Sequence, residues 1–216
     1  MLLRPLCLAI AATLALGLGA CKPGEAPAAA STDSITAKEP ANGIAAKVAS
    51  YAEVPLTADL SHLGIGDRKA IDLLLQAGAI TDDLFWKQVW GDKHALLADI
   101  KDPATRRFVE INYGPWDRLD NDAPFVEGIG PRPPGARFYP EDMTKEEFEA
   151  ADLPGKDSLY TLIRRDEAGK LVVVPYHEAY KAELQQVAAL LRQAAEVASD
   201  PGFRKYLGLR ADALLS

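Results

Sequence analysis

One pair of adjacent β-rich segments limits what this chain can fold into more than any other feature of its sequence. The segments are SLYTLIRR and KLVVVPYH, and the four residues between them, 166–169, have the composition of a tight turn. Two such segments joined by a short turn predict a β-hairpin. A two-stranded hairpin alone is only marginally stable in water, so this one needs further strands or a packing surface.

Helical periodicity dominates the rest of the chain. Asp67 is expected to cap a helix that runs to about Trp90, and shorter helices are predicted over 93–100 and 103–111. The first of these helices should bury the apolar residues that recur at three- and four-residue steps, which are Ile71, Leu74, Leu75, Phe85 and Val89. Its aromatic residues Phe85, Trp86 and Trp90 are expected to pack in a core.

The C-terminal third continues the helical pattern. Thr144 and Glu147 form a capping-box pattern that predicts a short helix to about Ala151. A long helix is expected from Tyr176 to Ala198, and another is expected to begin at Asp200-Pro201. The predicted fold class is therefore α+β, mainly helical with one β-hairpin, over residues 46–216.

The first 21 residues have the pattern of a secretory signal. Arg4 is their only charged residue, an apolar run extends from Leu6 to Leu18, and small residues precede Cys21. The run is shorter than the roughly 20 apolar residues of a spanning helix, so residues 1–20 are expected to be a cleaved signal peptide. Leu-Gly-Ala-Cys resembles a bacterial lipobox, which predicts lipidation of Cys21 and a membrane anchor. The alternative is an ordinary signal peptide in which Cys21 has no role.

The residues after Cys21 indicate where the anchor would lie and how the domain would be attached. Lys22 resembles the pattern of lipoproteins directed to the outer membrane, so we expect the periplasmic face of that membrane or the cell surface. Residues 21–45 comprise the lipidated Cys and a segment rich in Ala, Pro and Ser, and they are expected to form a flexible tether. Removal of residues 1–20 also removes Cys7. Neither a disulfide, a Cys nucleophile nor a thiolate metal site is then expected.

A long irregular segment separates the first helices from the hairpin. Residues 112–142 contain ten Gly and Pro residues, and the segment begins with the sequence NYGPWDRLDND. Loops of this length inside a compact domain are usually functional or braced by their own side chains. The formal net charge of the chain, −7, argues against nucleic acid as a partner of this protein.

Long co-linear segments carry a resemblance to a known family. YGPWDRLDNDAPFVEG, PPGARFYPEDMTKEEFEAADLP and SLYTLIRRDEAGKLVVVPYHEAY, together with LTADLSHL and DDLFWKQVWGDK, resemble the N-terminal region of bacterial proteins related to the dipeptidyl-peptidase III family of zinc peptidases. The resemblance extends from about Leu56 to Leu215. It implies the N-terminal part of a larger two-lobed metallopeptidase fold, with a cleft and a helical zinc-binding lobe, which cleaves short peptides from their N-terminal end.

The chain lacks the zinc motif that the resemblance implies. That motif is a His-Glu pair followed by a second His on the same helix, so that both imidazoles lie on one face. The three histidines, His62, His94 and His177, are far apart in the sequence, and each is expected to be a surface or capping residue. No catalytic and no metal-binding residue is therefore assigned. Zinc is expected in the complete protein, outside this chain, and Ser216 is expected not to be the natural end.

The resemblance gives the loop after residue 112 a functional hypothesis. Tyr113, Trp116, Asp117 and Arg118 could line a peptide cleft, with Asp117 binding a peptide amine. The alternative is a self-braced loop, in which Trp116 is buried and Asp117 pairs with Arg118.

The chain is thus predicted to be the N-terminal portion of a membrane-anchored, zinc-dependent peptidase whose substrates are short peptides. Two other classes stay open. One is a non-catalytic periplasmic binding or scaffold lipoprotein. The other is a hydrolase that uses neighbouring carboxylates, either Asp82 with Asp83 or Asp117 with Asp120.

Overall fold

The computed structural model describes residues 43–216, which form eight α-helices and two small antiparallel sheets. The predicted signal peptide and most of the predicted tether lie outside the described residues. In chain order the elements are α1 (Ile44–Ala49), α2 (Ile65–Val89), α3 (Lys93–Asp99), α4 (Pro103–Asn112), β1 (Trp116–Asp117), β2 (Ala123–Pro124), α5 (Lys145–Ala150), β3 (Thr161–Arg165), β4 (Leu171–Pro175), α6 (Tyr176–Ala179), α7 (Lys181–Val197) and α8 (Pro201–Ala213). The fold class predicted from the sequence, mainly helical α+β, is confirmed.

Three antiparallel helices, α2, α7 and α8, form the largest core. α2 packs along α7, and α7 packs along α8. Lys87 near the end of α2 pairs with Glu183 near the start of α7, which fixes the antiparallel direction. Small residues allow the close approach, because Ala188, Ala194 and Ala211 are completely buried. The remaining core residues of this bundle are Ala70, Leu73, Ala77, Val187, Leu191, Ala198 and Leu207.

The start of α2 differs from the sequence prediction. The N-cap residue is Gly64, and Asp67 lies in the first turn of the helix. Its carboxylate accepts hydrogen bonds from the backbone N–H (2.7 Å) and hydroxyl (2.8 Å) of Ser199, just beyond the end of α7. Asp67 therefore ties two helices together instead of capping one.

The buried face of α2 also differs from the predicted one. Leu75 and Phe85 are largely exposed, whereas Leu73, Ala77 and Trp86 are buried. The prediction is confirmed for Val89, which is buried, and wrong for Leu75 and Phe85, where it favoured the larger apolar side chains. The tight contact with α7 instead selects a face that contains alanines.

The predicted hairpin is confirmed, and the described residues provide its packing surface. β3 and β4 pair antiparallel, with Ile163 directly opposite Val173. The Asp166 N–H donates to the Lys170 carbonyl and closes the turn between them. The Ile163 N–H donates to the carbonyl of Phe138, which lies outside the sheet. The buried face of the hairpin joins a second core, formed by Leu84, Leu162, Tyr180 and Leu184.

The long helix predicted from Tyr176 to Ala198 is two helices. Tyr180 has a non-helical backbone (φ −119°, ψ 29°) and separates α6 from α7. Its ring is buried in the core beneath the hairpin, so tertiary packing interrupts a pattern that is locally helical.

The capping pattern at Thr144 is confirmed in part. The Thr144 hydroxyl accepts from the Glu147 N–H as predicted for the N-cap of α5. The Glu147 carboxylate, however, receives a two-bond contact from the Arg165 guanidinium, and Arg165 also donates to Asp142. Arg165 thereby fastens β3 to α5.

The Asp67–Ser199 contact predicts a specific pH dependence. Hydrogen bonds from Ser199 hold the pKa of the Asp67 carboxyl below its usual value of 3.8. The stabilisation from this carboxylate is therefore present above about pH 4 and is lost as the pH falls through the lowered pKa. Asp67→Asn is expected to lower the melting temperature at pH 7 and to flatten its dependence on pH between about 5 and 2, as measured by thermal unfolding. Asp72→Asn, an exposed position of α2, is the control. Parallel curves for wild type and Asp67→Asn would contradict the assignment.

Candidate functional site

The end of α4 turns the chain sharply into the segment with the four predicted site residues. Tyr113 adopts a left-handed backbone (φ 54°), and Gly114 follows with φ 155°. The Gly114 N–H donates to the Val109 carbonyl, which closes the helix. A Cβ atom on Gly114 would lie 3.3 Å from the Trp116 ring, so a larger residue there would press on that ring.

Trp116 is buried against the body of the domain. Only 6% of its surface is exposed, and its indole N–H donates to the Gly130 carbonyl at 2.9 Å. The ring packs edge-on against Trp90, with the ring centroids 5.3 Å apart. Trp116 therefore fastens both the loop that contains it and the following segment to the end of α2.

Asp117 is one of the two buried polar residues of the described chain, with 3% of its surface exposed. The Lys47 ammonium, from α1, lies 2.6 Å from its Oδ2 atom and 3.2 Å from the Asp120 Oδ2 atom. The Asp117 Oδ1 atom accepts a hydrogen bond from the backbone N–H of Leu119 at 3.0 Å. The hydrogen bonds to Asp117 and then Asp120 raise the pKa of Lys47 above its usual value. The predicted pairing of Asp117 with Arg118 is wrong, because Lys47 occupies the position of the cation.

Arg118 points toward a different set of neighbours. Its guanidinium lies over the rings of Phe85 and Tyr113, at 5.9 and 5.8 Å from their centroids. The backbone N–H of Arg118 donates to the side-chain oxygen of the buried Asn112. The Tyr113 hydroxyl donates to Asp82 at 2.6 Å, and this bond, with burial, raises the pKa of Tyr113. Tyr113 and Arg118 thus come together beside α2.

The four predicted residues do not share one cleft within the described chain. Trp116 faces Trp90, Asp117 faces α1, and Tyr113 with Arg118 faces α2. The arrangement is that of a self-braced loop. Their proposed contact with peptide stays a prediction.

Three of the four carboxylates considered for a hydrolase, Asp82, Asp117 and Asp120, have ion-pair partners. Asp82 accepts from Tyr113 and lies 3.7 Å from the Lys93 ammonium. Asp117 and Asp120 share Lys47. Asp83 is exposed on α2. Asp83 lines a depression of about 540 Å³, together with Lys87, Lys93 and Glu183.

A depression of about 870 Å³ was not foreseen from the sequence. It lies between α3, the start of α4 and the loop after β2. Its apolar lining includes Trp90, Leu96 and Phe125, and its rim carries both acidic and basic side chains. Its residues come from three separate parts of the chain, 90–105, 125–129 and Arg137, so no short motif could have indicated it. The complete lining is Trp90, Asp92, Ala95, Leu96, Asp99, Ile100, Lys101, Asp102, Thr105, Phe125, Val126, Glu127, Ile129 and Arg137.

The histidines are dispersed over the domain. His62 and His94 are exposed, and His177 lies near Glu178 at the start of α6. Within residues 43–216, no group of three His, Cys, Asp or Glu side chains could hold a metal ion. The zinc implied by the resemblance therefore does not fit the donor set of this part of the chain. In the same residues, no helix is long and apolar enough to cross a bilayer.

The fold is shared with two solved structures. One is a structure of DPP III from Caldithrix abyssi, which is 39% identical to this chain, with a TM-score of 0.73 over 78% of this chain and 34% of that one. The other is dipeptidyl-peptidase III from Corallococcus sp. strain EGB, which is 34% identical, with a TM-score of 0.72 over 80% of this chain and 34% of that one. The described residues thus have a dipeptidyl-peptidase III-like, peptidase-like hydrolase fold.

A curated relative gives a second comparison. The Arabidopsis thaliana protein named Nudix hydrolase 3 is 28% identical over 228 aligned positions, which cover 77% of this chain and 30% of that protein. No family model matches the chain. The chain spans about a third of the length of the relatives it matches.

Proposed function

We propose that this chain is the N-terminal portion of a membrane-anchored, zinc-dependent peptidase that removes dipeptides from short peptides. The observation that carries the proposal is the shared fold, at 39% and 34% identity, with two dipeptidyl-peptidase III structures over about four fifths of the chain. Identity at this level over a long co-linear stretch supports a common activity better than fold likeness alone would.

In this proposal the chain contributes a scaffold, and the zinc ligands come from residues outside it. The donor set of residues 43–216 does not fit a catalytic zinc, which needs three protein ligands. The braced loop around Trp116 would form part of the cleft wall, and Tyr113 and Arg118 beside Phe85 would offer one aromatic and one cationic contact to a peptide.

The membrane anchor is proposed from the N-terminal sequence. The lipobox-like Leu-Gly-Ala-Cys supports lipidation of Cys21, and Lys22 supports the periplasmic face of the outer membrane. A variant in which residues 1–21 are replaced by an ordinary cleavable signal peptide would then be found in the soluble fraction and keep its peptidase activity.

The size of the native protein and its peptidase activity test the function together. An immunoblot of the membrane fraction is expected to show a band far above the 23.3 kDa of this chain. The purified product is expected to release dipeptides from the N-terminal end of short peptides, to lose this activity with a chelator, and to regain it with Zn²⁺.

A band at or slightly below 23.3 kDa without peptide cleavage would contradict the proposal. The chain would then be assigned to the alternative class, a non-catalytic binding or scaffold lipoprotein. A long product that cleaves peptides equally well after chelation would contradict zinc dependence alone.

A further inference from the structure

Large apolar side chains are exposed along one stripe of α8. The rings of Phe203 and Tyr206 stack with their centroids 6.3 Å apart, and both residues are exposed, as is Leu209. Ala213 follows Tyr206 at a spacing that places both on the same side of the helix. This stripe is separate from the buried side of α8, where Leu207 packs in the core of the helix bundle.

A groove of about 380 Å³ continues this stripe toward the hairpin. It is lined by residues of α8, including Ala213, and by Tyr160 and Tyr176, which lie directly before β3 and directly after β4. The exposed ring of Tyr160 packs edge-on against that of Tyr176, with the centroids 6.4 Å apart. The stripe and the groove together form the α8–hairpin surface, which comprises Tyr160, Tyr176, Phe203, Tyr206, Leu209 and Ala213.

The groove opens into the core beneath the hairpin. Leu184, a buried residue of that core, lines the groove. Tyr176 and Leu214, which are partly buried against the same core, line it as well. The core is therefore open on this side, as in permanent interfaces, which resemble a domain core cut in half. Contiguous exposed apolar surfaces of this kind mark interaction sites.

The charges in the groove limit what can cover this surface. Among the described residues that line it, Arg210 and His177 can carry a positive charge, and none is an Asp or a Glu. This composition contrasts with the formal charge of the whole chain, −7. A segment that fits the surface therefore brings apolar side chains together with a carboxylate that faces Arg210.

We propose that the α8–hairpin surface is covered by the zinc-bearing remainder of the complete protein, through an apolar segment with a carboxylate at Arg210. This inference rests on the proposed function, which assigns the zinc ligands to residues outside this chain. The region shared with the two dipeptidyl-peptidase III structures makes up 34% of each, so about two thirds of each relative lies beyond it. A remainder of that size can cover the surface within one molecule.

Oxidation of the native full-length product by hydroxyl radicals, read by mass spectrometry, tests the proposal. The oxidation rates of Tyr160 and Tyr206 are compared between the folded product and its proteolytic peptides. The exposures of these residues in residues 43–216, 74% and 58%, would slow their oxidation less than twofold. An interface packed like a protein interior is expected to slow it about tenfold. Leu119, which is 78% exposed and lies outside the surface, is the control and is expected to slow less than twofold.

The outcomes separate this inference from the proposed function. Less than twofold slowing at both tyrosines, in a long product that releases dipeptides, would overturn the inference alone. Tenfold slowing in a long product without peptidase activity would contradict the proposed function and support the inference. Slowing that is lost on dilution, or after detergent removes the membrane, would assign the surface to a second copy or to lipid and overturn the inference. A product no longer than this chain would contradict both.

Leu209→Glu in the full-length product gives an independent measurement. Leu209 is 60% exposed in residues 43–216, so a charge there would be tolerated if the surface faced water. Under an apolar segment the charge is buried, and the melting temperature is expected to fall by several degrees. Leu75→Glu, at a 68% exposed position of α2, is the control and is expected to shift it by less than about 2 °C. Equal shifts for the two variants would count against the interface.

Discussion

Replacing Phe108 with alanine is expected to lower the free energy of unfolding by about 3–5 kcal/mol, the cost typical of a buried phenylalanine. Phe108 is 1% exposed and lies where three parts of the chain meet. Its ring contacts that of Tyr51, which follows α1. The ring centroids of Phe108 and of Phe125, in the loop after β2, are 4.6 Å apart. The resulting cavity would lie beneath both the loop and the helix that carries Lys47. Urea unfolding monitored by tryptophan fluorescence measures the loss.

Phe203→Ala provides the matched control for this substitution. Phe203 is 38% exposed on α8, where its ring stacks on that of Tyr206. Its removal leaves no closed cavity, and alanine has the higher helix propensity, so the loss should be far smaller. Equal losses for the two variants would contradict the burial described for Phe108.

Two glycines of α2 are expected to respond to the same substitution with opposite signs. A Cβ atom at Gly66 would lie 2.3 Å from the Val197 carbonyl oxygen, at the end of α7. Because that atom belongs to the backbone, the helices must separate, and Gly66→Ala is expected to cost about 1–3 kcal/mol. A Cβ atom at Gly78 would have no neighbour within 4 Å. Gly78→Ala is therefore expected to raise the free energy of unfolding by about 0.5–1 kcal/mol through helix propensity.

Denaturant midpoints of the two glycine variants check this pair of predictions. Gly66 lies in the first turn of α2 and Gly78 in its interior, where alanine is intrinsically favoured over glycine. A loss of stability in Gly66→Ala therefore reports the contact with α7. A stabilising effect at Gly66 would mean that α2 and α7 do not approach as closely as described.

The sequence was sufficient for most of the elements but not for their contacts. Local signals, such as Pro103 after Asp102 and Pro201 after Asp200, placed helix starts correctly because capping depends on adjacent residues. The face that α2 buries was predicted only in part, because a close helix contact selects Ala77 over the more apolar Leu75. The break at Tyr180 was missed because the ring is drawn into a core formed by distant residues.

In the candidate site, too, local features could be predicted from the sequence and contacts between distant residues could not. The burial of Trp116 follows from a tryptophan beside a Gly-Pro turn and could be foreseen. The cation that pairs with Asp117 could not be foreseen from the sequence. Lys47 lies 70 residues earlier, and no local pattern marks it as the partner. Pairing between distant charges is set by the route of the chain, which periodicity does not encode.

The long sequence separation of α2 from α7 has a consequence for synthesis on the ribosome. Lys87 and Glu183 are 96 residues apart, and Asp67 and Ser199 are 132 apart. At about 5–20 residues per second, the apolar face of α2 waits roughly 5–26 seconds for its partner to be made. Meanwhile α3 and α4, which follow α2 closely, can already pack on its C-terminal end. The first half of the chain thus emerges as a nascent intermediate with one apolar stripe uncovered, which a chaperone that holds unfolded chains would recognise.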